Sequence, residues 1–185
     1  MSENVSKKSA RLIIGINLAA AGLIIALAIS ESLRRTHAFD ELMFAIGEQN
    51  EVDPRLISAL IWKESRYDPL ATGKAGERGL MQIMEPAAME WVTAETIKNF
   101  NPDCLYDPKT NILAGTWYLA KALRDWSKKE DPLPYALAQY NAGRSNVLRW
   151  ERASETNQIA FIESITYPGT KQYVGDILKR YDGRH

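Results

Sequence analysis

The sequence predicts a mostly α-helical domain behind an apolar N-terminal segment. Three observations carry that expectation. Asp53-Pro54 and Asp107-Pro108 each place a capping side chain before a proline at the first helical position. Downstream, Leu56, Ile57, Leu60 and Ile61 in one stretch, and Ile112, Leu113, Leu119 and Leu123 in the other, recur with helical spacing. No stretch alternates apolar and polar residues for long enough to argue a sheet. A chain of 185 residues, 45% of them apolar and 9% aromatic, suits one folded body with its own core.

Residues 1–30 stand apart from that body. Lys7, Lys8 and Arg11 precede an apolar run of 18 residues, Leu12 to Ile29, broken only by Asn17. The run is at the lower edge of what spans a bilayer and longer than a signal-peptide core of about 7–15 residues. Ala26-Leu27-Ala28 also offers a signal-peptidase site. The segment therefore reads as an uncleaved transmembrane anchor over 12–29 or a cleaved signal peptide, with length favouring the anchor. A buried core helix fits poorly with its terminal position and basic flank. In either targeting reading the basic end stays in the cytosol and the rest is exported. Residues 31–37, with Arg34 and Arg35, form a short charged junction, and 38–185 form the body.

At the end of the junction, Thr36 caps a helix carrying Phe39, Leu42, Met43 and Ile46. Asp53 and Asp107 open the next two. Pro132 and Pro134 break the chain before Tyr135–Tyr140, and further helices are expected near Val147–Arg152, Gln158–Ser164 and Thr170–Tyr181. Neither internal repeats nor low-complexity tracts interrupt them.

Composition narrows the chemistry. With 23 basic and 23 acidic residues the formal charge is zero, which argues against a nucleic-acid partner. Cys104 cannot form an intramolecular disulfide alone; it is not beside the apolar run, where a lipid would be attached, and reads as a small core hydrophobe. His37 and the terminal His185 are the two histidines, too few for an expected metal site or a histidine-dependent nucleophile. No cofactor or metal is expected. Carboxylates and hydroxyls are left to do the chemistry.

Glu64 is the residue out of place. It continues the stripe of Ile57, Leu60 and Ile61, so it points with the core-facing side of its helix. It also sits in the last turn, where the helix dipole disfavours negative charge. Desolvation and dipole both favour the protonated acid, the condition for a general acid near neutral pH. A rotated stripe would instead leave it a solvated side chain. After Ser65 comes a loop with Pro69, Gly73, Gly76 and Gly79, where glycines permit close backbone approach. Gly79-Leu80-Met81-Gln82-Ile83 follows, and Ala138-Gln139-Tyr140-Asn141-Ala142-Gly143 puts a phenol and an amide at a helix end. Each alone is a weak signal.

Together, in this order and spacing, these segments and Tyr173-Val174 resemble the motifs of the soluble lytic transglycosylase family. The similarity extends to Asp107-Pro108, Asn111, Gly115, Tyr118-Leu119, Ile165 and Tyr167, and covers roughly residues 38–182. The resemblance implies a lysozyme-like helical domain, akin to goose-type lysozyme, with a substrate cleft. It implies cleavage of the β-1,4 bond between N-acetylmuramic acid and N-acetylglucosamine in peptidoglycan glycan strands, leaving a 1,6-anhydro end, within the cell envelope. Glu64 would be the catalytic acid and then the base. Ser65 and Gln82 would orient the saccharide, Tyr140 would hydrogen-bond to Glu64, Asn141 would help bind an N-acetyl group, and Tyr173 would line the cleft. No second carboxylate is needed as nucleophile. Among Trp62, Trp91, Trp117, Trp126 and Trp150, core packing is the expectation for most, with some free to stack on sugars.

Two departures from the family pattern stand out. Glu85 intervenes before Pro86, which shifts a helix start by one residue. Gly169 takes a position where relatives often carry an acid associated with the peptide stem, which bears on stem recognition and not on bond cleavage. Two other functions fit the same residues: a hydrolase that uses water on this scaffold, and a non-catalytic glycan-binding protein of an envelope assembly, which would be expected to lack the acid. The zero net charge divides between compartments in either targeting reading: residues 1–30 hold three basic groups against one acid, and the remainder 20 against 22.

Overall fold

The computed structural model describes residues 2–154 and 158–183, and its backbone divides into two compact units between Ala38 and Phe39. The first unit is helix α1, Ser2–His37. Its apolar side chains Leu18, Leu23, Ile24, Ile25, Leu27 and Ile29 are exposed. Among the described residues, no helix is long and apolar enough to cross a membrane. The anchor expected at 12–29 begins on side chains outside the described residues, as do those of Lys7, Lys8 and Arg11; His185 lies outside them as well.

Thr36 does not cap the following helix. It lies in the last turn of α1, and α2, Asp40–Asn50, starts behind Phe39 with no side-chain cap. Glu31 accepts from Arg34 and Arg35, both at 2.9 Å, i,i+3 and i,i+4 pairs that suit a helix continuing through the junction.

The remaining elements of the second unit are α3 (Pro54–Ser65), α4 (Glu85–Ala94), a 3-10 turn (Pro102–Tyr106), α5 (Pro108–Asp125), α6 (Leu133–Ala142), α7 (Arg144–Ala153), α8 (Gln158–Ser164) and α9 (Pro168–Tyr181). The two Asp-Pro starts form as expected. Asp53 accepts from the Arg55 amide at 2.8 Å and Asp107 from the Thr110 amide at 2.9 Å. In α4 the displaced proline stands second, behind Glu85. Cys104 is exposed and not in the core, because in the 3-10 turn it is Leu105 that faces inward.

Helix α5 packs against α2, α4 and α6, while α9 packs against α3 and α6. Ile57, Leu60 and Ile61 of α3 meet Ile112, Leu119, Leu137, Val174 and Ile177 in a core closed to water. Trp91, Trp126 and Trp150 are buried; Trp62 and Trp117 pack on the core from its edge.

The loop between α3 and α4 contains no strand, and is tied by isolated bridges that pair Arg78 with Thr72 and with Ile83. What seats it is buried Asn111 on α5. Its Oδ1 accepts from the Met81 amide at 2.7 Å, and its Nδ2 donates to the carbonyls of Arg78 and Leu105 at 2.8 and 2.7 Å. Gly115, one turn further, lets Met81 lie against the helix, since a Cβ there would stand 2.5 Å from the Met81 sulfur. Sequence places Asn111 and Gly115 on one helix face; packing turns that face into the seat of the loop.

Candidate active site

Glu64 ends the buried stripe of α3, as its spacing demands, with part of its side chain still open to solvent. Burial pushes its carboxyl up to about 7; the Glu77 carboxylate adds to that rise, while a Tyr173 hydrogen bond and the Lys63 ammonium oppose it. The Tyr173 hydroxyl donates to Glu64 Oε1 at 2.5 Å. Oε2 is therefore the oxygen left to carry a transferable proton.

Tyr140 does not bond to Glu64, contrary to the expectation. Its hydroxyl donates to the Met81 carbonyl at 2.9 Å, because α6 brings it over the loop, while α9 brings Tyr173 to the acid. Tyr140 still lies close enough to Glu64 for the carboxylate to help hold its phenol well above 10, after the larger effect of burial. Tyr118 packs edge-on against Tyr140, with ring centroids 5.6 Å apart. Both phenols, Tyr140 and Tyr173, stay protonated across the neutral range.

Ser65 and Gln82 spend their donors on backbone. Ser65 Oγ donates to the Leu80 carbonyl at 2.8 Å, and Gln82 Nε2 donates to the carbonyls of Gly79 and Ala71 at 2.9 and 3.1 Å. With Tyr140 on Met81, the Gly79–Gln82 loop is thus gripped from α3, from α6 and from within. Gln82 keeps Oε1 free on the side of Gly73, where a Cβ would stand 3.0 Å away. Asn141 is exposed; its Oδ1 accepts from Thr170 Oγ1 at 2.7 Å, which leaves its amide hydrogens free to donate.

Glu77 is the site acid that sequence reasoning missed. Its Oε2 accepts from the Ala75 amide at 2.9 Å and crowds Gly73, whose missing side chain makes room for it. Thirteen residues beyond Glu64 in an irregular loop, it has no periodic relation to the acid that could have revealed it. Asp68, the acid nearest in sequence, is exposed and accepts from the Leu70 amide instead. Among the described residues no group of three His, Cys, Asp or Glu side chains gathers to hold a metal ion. A large cleft of about 810 Å³ lies elsewhere, lined by Met43, Phe44, Pro54, Arg55 and Tyr181, and contains none of these groups. The chemistry therefore marks the site better than the volume does.

The arrangement defines a class, a helical domain built round a desolvated carboxylic acid with a tyrosine partner. Comparison with known proteins agrees: residues 41–162 match the Transglycosylase SLT domain, and the chain belongs to that family. It is 31% identical over 144 residues to the soluble lytic murein transglycosylase of Escherichia coli K12, covering 76% of this chain and 22% of that protein. It is 34% identical over 116 residues to membrane-bound lytic murein transglycosylase F of Desulfosudis oleivorans, covering 61% and 24%. The crystal structure of the 70-kDa soluble lytic transglycosylase of E. coli superposes with a TM-score of 0.72 at 31% identity, over 79% of this chain and 24% of that one. A 70-kDa soluble lytic transglycosylase in complex with bulgecin A gives 0.73 at 30% identity, over 80% and 24%. A Pseudomonas aeruginosa lytic transglycosylase, solved as an inactive Glu-to-Gln mutant, gives 0.70 at 25% identity, over 78% and 23%. The chain thus spans about a quarter or less of the length of these relatives.

Proposed function

We propose that this chain is a peptidoglycan lytic transglycosylase in which Glu64 is acid and then base. The observation that carries the reading is a carboxyl held near pH 7 by burial, with one oxygen fixed by Tyr173. Protonated Glu64 donates to the glycosidic oxygen as the bond to the muramoyl C1 breaks. The resulting carboxylate takes the proton from the muramoyl 6-hydroxyl as that oxygen closes on C1. The acid is restored for the next cycle, no water is consumed, and the product carries a 1,6-anhydro end. A group titrating near the working pH serves both half-reactions. Ser65, Gln82 and Tyr140 hold the loop beside the acid, Gln82 Oε1 offers an acceptor to a sugar hydroxyl, and the Asn141 amide offers donors to an N-acetyl carbonyl. The relatives' names supply the substrate class, and the inactive Glu-to-Gln relative supports the role of one glutamate.

Mass spectrometry of fragments released from purified peptidoglycan tests this. Anhydromuramoyl ends are expected, with release abolished in Glu64→Gln; release unchanged in that variant would defeat the mechanism. One observation favours a second reading. Glu77 is a second carboxylate within electrostatic reach of Glu64, and such a group could orient water for hydrolysis. Reducing muramic acid ends would identify that outcome.

The exposed apolar side chains of α1 ask for a cover, and the 12–29 run supports an inner-membrane anchor with residues 38–185 outside the cytosol. Retention in the membrane pellet after alkaline extraction is expected; full release to the supernatant would favour cleavage after Ala28.

A further inference from the structure

Two charged groups beside the acid have no part in the proposed chemistry: Lys63, which precedes Glu64 on α3, and Asp176, three residues after Tyr173 on α9. Lys63 Nζ donates to Asp176 Oδ2 at 2.7 Å, and the same ammonium stands 5.9 Å from the centroid of the Tyr173 ring. Neighbouring residues of α3 therefore bind residues one turn apart on α9: Lys63 to Asp176, and Glu64 to Tyr173. The side chains of the pair are 21% and 39% exposed, so water screens the link in part and its contribution lies in geometry more than in energy.

We propose that the Lys63–Asp176 ion pair is a positioning device for the acid, holding the Lys63 ammonium on Asp176 and away from the Glu64 carboxyl. The proposal rests on Glu64 being the working acid. Four groups act on or answer to that carboxyl: Tyr173 from α9, Glu77 from the loop, Lys63 from α3 itself and Tyr140 from α6. Of these, Lys63 is the cation. It favours the carboxylate, and Asp176 sets how far it can do so.

Removing either member of a purely structural brace would loosen α9 and act on the acid in one direction. A positioning pair behaves differently. Asp176→Asn frees the ammonium to turn towards Glu64, so the acid loses its proton at lower pH. Lys63→Met removes the cation, so the acid keeps its proton to higher pH. Lys63→Arg preserves charge and partner and should leave the titration near that of the unmodified protein.

The test is a carbon-13 NMR titration of the Glu64 side-chain carboxyl in the full chain, assigned by its loss in Glu64→Gln and followed alongside the pH profile of fragment release. Opposite displacements in Asp176→Asn and Lys63→Met are expected, with each unit of downward displacement removing about tenfold of the protonated acid above the titration. Displacement of both in the same direction, or of neither, overturns the proposal. If Lys63→Met does not fold, Lys63→Gln replaces it, and an unmoved or raised titration in Asp176→Asn is already sufficient to overturn it. The NMR titration needs no turnover, so a protein that releases no glycan would refute the functional reading and leave this result standing separately.

Discussion

The hydroxyl of Tyr173 and Oε1 of Glu64 meet at 2.5 Å although 109 residues separate them in the chain. The bond stabilises the carboxylate, while burial, the larger influence, favours the acid. Tyr173→Phe removes the weaker influence and leaves the stronger. The alkaline limb of the pH–rate profile should therefore move to higher pH than in the unmodified protein. Loss of one buried hydrogen bond should lower stability by about 1 kcal/mol, read by urea unfolding.

Glu64 itself should make the fold pH-sensitive. Its carboxyl titrates at about 7 in the folded protein, against the ordinary 4.5 that applies once the chain unfolds. The folded state thus binds the extra proton between those values. Stability is fully present below about pH 4.5 and falls as pH rises through about 7. The fall attributable to this one group is at most about 3 kcal/mol. Glu64→Gln should unfold at a higher temperature than the unmodified protein at pH 8 and at a similar one at pH 4. Calorimetry at the two pH values decides it; equal melting temperatures at both would contradict the buried-acid reading.

Two glycines of the site loop should respond unequally to alanine. Gly76, at φ +92, has nothing within 4 Å of an added Cβ, so Gly76→Ala carries only the backbone strain of about 1–2 kcal/mol. Gly79, at φ +73, would place its Cβ 2.3 Å from the Leu105 carbonyl oxygen and 2.4 Å from Asn111 Nδ2. Neither of those atoms can retreat without unseating the loop. Gly79→Ala should therefore cost at least twice as much in urea unfolding and abolish glycan release, while Gly76→Ala remains active.

Asn141 should act on binding more than on chemistry. Its Oδ1 is occupied by Thr170, so its free donors are what a sugar amide would meet. Asn141→Asp keeps the acceptor for Thr170 and removes those donors. KM for soluble glycan fragments should rise about tenfold, the equivalent of one hydrogen bond, with kcat within about twofold. A fall in kcat at unchanged KM would place the residue elsewhere in the mechanism.

Much of this was legible in the sequence because it is local. The Asp53-Pro54 and Asp107-Pro108 starts depend on a side chain reaching an amide two or three residues away, and both form. The placement of Glu64 on the buried face of α3 follows from the 3.6-residue period. Thr36 misled because it is a good cap in isolation, while α1 continues through it to His37. Cys104 misled because composition favours burial, but a 3-10 turn presents Leu105 inward instead.

By itself the sequence determined that an acid, Glu64, would lie on the buried face of its helix, since that follows from spacing along one element. Tertiary structure alone decided which phenol reaches that acid. Tyr140 and Tyr173 both sit at suitable motif positions, and only the packing of α9 on α3 and of α6 on the loop sends one to Glu64 and the other to Met81. It also decided that Glu77 raises the acid's proton affinity and that Lys63 is held by Asp176. Charges act through space, and no periodicity along the chain records how near two helices or a loop will bring them.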